Sequence, residues 1–129
     1  MTSYPRPVPA VLSHIMKCVV VAMAGVLAFE SLMPAAEAVS LNNIDKVVHA
    51  VAYFGLAYCI AAGWRKSSLW FVFFVSTAFG AAMEAGQGLM DMGRSASPWD
   101  QLANTVGAAF ACLAWVMLIK IYRRFWAGS

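Results

Sequence analysis

Charge is what this chain has least of. Asp, Glu, Lys and Arg make up 12% of its 129 residues while 62% are hydrophobic, whereas a soluble domain carries roughly a quarter charged residues and about half apolar ones. That balance, with a mean hydropathy of +0.71, excludes an ordinary soluble domain and points to an integral membrane protein. Cysteine is scarce as well. Cys18, Cys59 and Cys112 each lie inside an apolar run, which argues against a disulfide framework and leaves them as small packing residues. The sequence has no glycine-rich phosphate loop, no H-E-x-x-H and no repeated cysteine pair, so neither a nucleotide motif nor a strong metal-ligand spacing is present. No cofactor and no metal ion are expected. The net charge of +3 is concentrated in Arg65, Lys66, Arg123 and Arg124. Basic pairs at the ends of apolar runs mark topology and contact with anionic lipid, so membrane lipids are expected partners and nucleic acid is not.

What is present is four apolar runs. The opening MTSYPRPVPA holds Pro5, Pro7 and Pro9 and reads as an extended lead-in, because prolines at this spacing block helix. Spans are predicted over about 11–32, 44–64, 68–89 and 98–122, each long enough at 1.5 Å per residue to cross a hydrocarbon core of about 30 Å. They make one membrane domain over residues 1–129. The first run has its polar residues, His14, Lys17 and Glu30, toward its ends and is closed by Pro34; Lys17 can snorkel to the near surface. A competing reading makes Arg6 and Lys17 a signal n-region, Cys18 to Phe29 an h-region and Ala36-Glu37-Ala38 a cleavage site. The four-span reading expects the segment to be retained. The second span has Asn42 or Asn43 as N-cap and Asp45 in its first turn, where the helix dipole favours an acid, and stops at Arg65 and Lys66. The third starts at Ser67 or Ser68. The fourth opens at Ser97-Pro98-Trp99-Asp100, a capping serine, a proline at the first helical position and an acid three residues on.

Basic residues lie at Arg6 and Lys17, at Arg65 and Lys66, and at Lys120, Arg123 and Arg124, against only Lys46 and Arg94 in the first and third connections. By the positive-inside rule both termini are expected to be cytoplasmic. Trp64, Trp70, Trp99 and Trp126 fall near span ends, where aromatic belts form.

The polar residues then collect at the outer end. Asp45 and His49 are four apart, with Tyr53 continuing their face; Glu84 and Gln87 are three apart; Asp100 and Asn104 are four apart, with Gly107 beyond them. These spacings put each set on one helix face. Carboxylates, amides and a histidine near the hydrocarbon boundary are costly against lipid, so they are expected to turn inward and pair, with Lys46 and Arg94 as the available cations. Taken singly, Asp45 and Asp100 are equally well first-turn partners of the helix dipole, His49 a packed residue and Arg94 a solvated one. Glu84 lies inside an apolar helix and has no capping role, so an interior or functional role is expected for it. The candidate site is therefore Asp45, Lys46, His49, Glu84, Gln87, Arg94, Asp100 and Asn104.

The pattern Asp45-Lys46-x-x-His49 followed by AYFGL, then Glu84-x-x-Gln87, then Arg94-x-x-Ser97-x-x-Asp100-x-x-x-Asn104-x-x-Gly107, resembles the VanZ family, named for a teicoplanin-resistance membrane protein. The resemblance runs from Asn43 to Gly107. It implies a four-helix, multi-pass protein of the bacterial plasma membrane whose signature polar residues gather at the outer face. One departure is Ala111, where family members often carry a second glycine one turn after the first.

Three functions remain open at this point. The favoured one is an accessory or resistance-type protein of the cell envelope that binds a lipid-linked cell-wall or polysaccharide precursor, with Lys46 and Arg94 on an anionic head group and the carboxylates and amides on sugar or peptide. The second is a membrane-embedded hydrolase or transferase on a lipid-linked substrate. In it His49 acts as general base oriented by Asp45, or His49, Glu84 and Asp100 hold a divalent cation. The third is a small homodimeric drug exporter, a class that wants an acid deep in the first span, whereas Glu30 sits near its end.

Overall fold

Each apolar run becomes one helix, and each helix ends where the sequence supplies a reason. The computed structural model describes residues 8–33, 42–90, 93 and 95–126, without the side chains of Asn42 and Asn43. Within them lie α1 (Ala10–Leu32), α2 (Asn42–Gly63), α3 (Leu69–Met90) and α4 (Pro98–Trp126), with no strand among the described residues. All four are long and apolar enough to cross a membrane. α1 starts behind Pro9, whose carbonyl accepts the Ser13 N–H at 3.0 Å, and its last turn closes with the Met33 N–H on Phe29 O at 3.0 Å. Ser68 Oγ accepts the Phe71 N–H at 3.1 Å and caps α3. Ser97 Oγ accepts the Asp100 N–H at 3.3 Å and caps α4, with Pro98 at the first helical position, as the sequence predicts. The first residue of α2 is Asn42; the residue before it, like the Ala36-Glu37-Ala38 segment, lies outside the described residues.

α4 runs to Trp126, past the predicted end near residue 122. Lys120, Arg123 and Arg124 are good helix formers and favourable at a C-terminal dipole, so they mark the membrane boundary without breaking the helix. Its 29 residues span about 43 Å, more than a hydrocarbon core of about 30 Å requires.

α2 is the central element and packs against the other three helices, most extensively against α4. The seam is built from small residues at helical spacing. Ala57 and Ala61 of α2 and Gly107, Ala108 and Ala111 of α4 are buried, with Leu56, Ile60, Val72 and Trp115 filling around them. Small side chains let helix backbones approach closely, which is how apolar helices associate when lipid is as apolar as they are. Ala111 is 1% exposed, so its methyl fits the seam where the VanZ-like pattern often has glycine.

α1 is peripheral, with Ser13 and Val20 its buried residues. It is held at the basic end. Ser13 Oγ donates to Gly63 O at 2.7 Å, satisfying a carbonyl that the end of α2 leaves over. The Lys17 stem lies against Gly63 and its ammonium sits 5.7 Å from the centre of the Trp64 ring. Val21, Val26, Phe74, Leu89, Phe110 and Met117 point outward, an exposed apolar girdle that suits lipid and not water. The three cysteines are free, with Cys18 exposed and Cys59 and Cys112 half-buried.

Candidate functional site

The apolar core stops where α2 and α4 begin and α3 ends. Glu84, in the last two turns of α3, is only 6% exposed. Its Oε2 accepts the backbone N–H of Ser97 at 2.9 Å, so the acid of one helix caps the entry of another. It supplies an acceptor to a donor that α4 leaves unsatisfied and a negative charge to that helix's positive end. Glu84 is interior, as expected, but the expectation that it has no capping role is corrected: from α3 it caps the start of α4, a contact that spacing along its own helix does not reveal. Gln87, one turn further along the same face, is also buried. Arg94, the expected cation for Glu84, lies outside the described residues together with that pairing. Lys46 stands half-buried in the first turn of α2.

A second set of contacts crosses all three helices. Gln101 Nε2 of α4 donates to the main-chain carbonyl of Thr77 in α3 at 3.1 Å. Asn104 Nδ2 lies 3.5 Å from Gln101 Oε1, and Asn104 Oδ1 lies 3.0 Å from His49 Nδ1 in α2. Asn104 is 1% exposed; an amide buried that deeply is strongly unfavourable without partners, and the two contacts supply them. The absence of a side chain at Gly80 makes the room: a β-carbon there would come within 2.9 Å of Gln101 Oε1, 3.0 Å of Asn104 Nδ2 and 3.1 Å of Tyr53 Cε1.

The third set opens outward. Asp45 Oδ1 is 3.9 Å from His49 Nε2, and one ligand atom each from Asp45, His49 and Asp100 lie within 4.8 Å of one another. The Asp45 side chain is 61% exposed and that of His49 21%. Both acids also occupy first turns, so the dipole role and membership of the cluster coexist. A three-ligand set for a cation therefore comprises Asp45, His49 and Asp100. The sequence-derived set of His49, Glu84 and Asp100 differs by one residue, because the Glu84 carboxylate is turned to Ser97.

Gln101 and Gly80 are the members that sequence reading misses. Gln101 stands three residues before Asn104 and next to Asp100, so a spacing argument was available for it. A glycine in an apolar helix carries no such signal. An apolar groove between α3 and α4, lined among others by Trp70, Phe73, Cys112 and Val116, lies toward the opposite end of the bundle. Its lining suits lipid chains, and it takes no part in the polar cluster.

A comparison with curated proteins and with solved structures finds no match to this chain. A comparison with family models does: the VanZ/LLP1 model matches residues 1–120, which include all three polar segments and most of the four helices. The resemblance carried by the polar signature extends over nearly the whole chain, and the protein belongs to the VanZ/LLP1 family.

Proposed function

We propose that this VanZ-like membrane protein recognises a lipid-linked cell-wall or polysaccharide precursor at the outer leaflet of a bacterial plasma membrane, as an accessory or resistance-type component of the cell envelope. The observation that carries the reading is the division of the polar end into two layers. Glu84, Gln87 and Asn104 are buried and serve the helices, whereas Asp45 is open and His49 partly so. A purely structural polar cluster closes on itself. This one leaves carboxylates and an imidazole facing outward at a bundle end, beside the half-buried Lys46 and, in the sequence, Arg94. Polar groups of that kind bind sugar or peptide, and the cations suit a phosphate or carboxylate on the same molecule. The basic-residue bias supports the polar end being outside and both termini inside.

The test is lipid retention. Full-length protein in detergent is incubated with extracted envelope lipids in the presence of a chelator, and bound species are read by mass spectrometry. One unaltered lipid-linked species per chain, lost with Arg94→Gln and Lys46→Gln, supports the reading. Retention of bulk phospholipid alone, unchanged in both variants, removes it. A second reading, a hydrolase or transferase on such a lipid, is favoured by one observation: the His49 ring is fixed on one side by buried Asn104 and meets acids on the other, the arrangement of an oriented general base.

A further inference from the structure

We propose that Asp45, His49 and Asp100 form a binding site for one divalent transition-metal ion, with Zn2+ the best match, and that the buried amides Asn104 and Gln101 are its supporting shell. One atom behind the site has a role fixed by its chemistry. The main-chain carbonyl of Thr77 only accepts, so the end of Gln101 that faces it at 3.1 Å is the NH2 group. Gln101 Oε1 is then the end that faces Asn104, which places Asn104 Nδ2 toward it at 3.5 Å and Asn104 Oδ1 toward His49. An amide oxygen also only accepts, so the His49 nitrogen 3.0 Å away carries a hydrogen. In the neutral ring the other nitrogen, Nε2, is thereby a bare lone pair. The tautomer of His49 is dictated across three helices from a backbone carbonyl of α3.

That nitrogen lies 3.9 Å from Asp45 Oδ1, and a ring nitrogen of His49 is within 4.8 Å of a carboxylate oxygen of Asp100. One ligand atom from each of the three residues lies within 4.8 Å of the other two, close enough for a single cation to be shared among them. A metal ion bonded at about 2.0–2.2 Å sets its ligand atoms roughly 3–4 Å apart. The small contraction needed falls to Asp45, whose exposed side chain is free of the core. The positive ends of α2 and α4 oppose a cation, but each is worth only about half a charge, against a full charge on each carboxylate. An imidazole that donates its second N–H to a fixed oxygen is the usual second shell of a metal-bound histidine. One imidazole with two carboxylates suits Zn2+ better than Mg2+, which prefers all-oxygen octahedra. The remaining positions open outward, to water.

This inference goes beyond the head-group reading and fails separately from it, since its test contains no lipid-linked precursor, only the phospholipid of the nanodisc. Metal-stripped full-length protein in nanodiscs is titrated with Zn2+ and with Mg2+ by calorimetry, and the 15N-labelled histidines are followed by NMR. The expected result is one Zn2+ per chain, weaker or absent Mg2+ binding, and a metal-free His49 protonated on Nδ1 whose Nε2 signal moves on adding Zn2+. Asp45→Asn, at an exposed position where folding is not at stake, is expected to abolish stoichiometric binding. Gln101→Leu leaves all three ligands in place and is expected to lower affinity by about ten- to a hundred-fold. Zn2+ binding equal in wild-type and Asp45→Asn protein overturns the site. An Nε2 signal that ignores Zn2+ overturns it equally, whichever tautomer His49 adopts. Wild-type affinity in Gln101→Leu overturns the supporting role of the amides.

Discussion

Gly107 and Ala50 bring the backbones of α4 and α2 into direct contact. A β-carbon at Gly107 would overlap the Ala50 carbonyl oxygen and come within 2.9 Å of its carbon and 3.0 Å of Phe54 N. Those neighbours are main-chain atoms and cannot swing aside, so Gly107→Ala forces the two helices apart along the most extensive seam of the bundle. The expected cost is about 1–3 kcal/mol, the usual range for overpacking. Gly25 of α1 has nothing within 4 Å of its would-be β-carbon. There the change to alanine is expected to be neutral or mildly stabilising through helix propensity. Thermal unfolding of the two variants in detergent, read by helical circular dichroism, checks the contrast. Equal midpoints would count against close α2–α4 packing.

Glu84 and Ser97 supply the next prediction. Glu84→Ala leaves the Ser97 N–H of α4 without its acceptor and is expected to destabilise by about 1.5–3 kcal/mol, the range for hydrogen bonds to charged groups. Glu84→Gln keeps an acceptor and is expected to cost less. Arg94 is the cation that the sequence offers to this carboxylate, so Glu84→Gln and Arg94→Gln are expected to be coupled, the double variant losing less than the sum of the two. A double-mutant cycle measures it, and additive losses argue that Arg94 serves elsewhere.

The ease of reading this chain differs from residue to residue, for physical reasons. Asp45, His49, Glu84, Asp100 and Asn104 stand out because an ionisable or amide group in an apolar helix is costly and has to be accounted for. Ser97 and Pro98 declare a helix start through local chemistry. Spacing places each pair on a face but leaves open which face meets which, so neither the Glu84 contact with Ser97 nor the His49 contact with Asn104 is legible in advance. Gln101 is obscured by its charged neighbour Asp100, and Gly80 signals itself only once Tyr53, Gln101 and Asn104 are seen around it. The helix of α4 runs on to Trp126, beyond the span read over 98–122, because arginine and lysine stop a hydrophobic run without stopping a helix.

Topology gives a prediction that is independent of the site. Four spans with basic residues gathered at one end place Ser129 in the cytoplasm and retain the first helix. α1 is tied to the end of α2 by Ser13 on Gly63 and by Lys17 on Trp64, so it is expected to behave as part of the bundle. A reporter fused at Ser129 and the intact mass of the purified protein check this. An outside reporter removes the orientation. Loss of residues 1–38 removes α1 but leaves the polar site, which starts at Asp45.

The last prediction separates recognition from catalysis and turns on the order of three variants. If the polar end only holds a head group, His49→Asn keeps a hydrogen-bonding side chain at that position and weakens binding modestly. Losing Lys46 or Arg94 removes charge from a phosphate or carboxylate contact and costs more, although a single solvent-facing cation contact is worth only about 0–1 kcal/mol. An enzyme reverses the order. Removing a general base commonly costs on the order of a hundred-fold or more in rate, and His49→Asn then abolishes turnover while lipid retention survives. The ring of His49 is already oriented by Asn104 at 3.0 Å, so helical circular dichroism of His49→Asn checks that the loss of turnover is not a loss of fold. Binding is expected to prevail, because among the described residues the polar cluster holds no serine or cysteine activated by a base: Ser97 Oγ is engaged by the Asp100 N–H, and Cys59 and Cys112 lie among apolar neighbours. Mass spectrometry of envelope lipids after incubation with each variant reads both quantities in one experiment. A chemically altered lipid that accumulates with wild-type protein and disappears with His49→Asn would replace the binding assignment by a catalytic one.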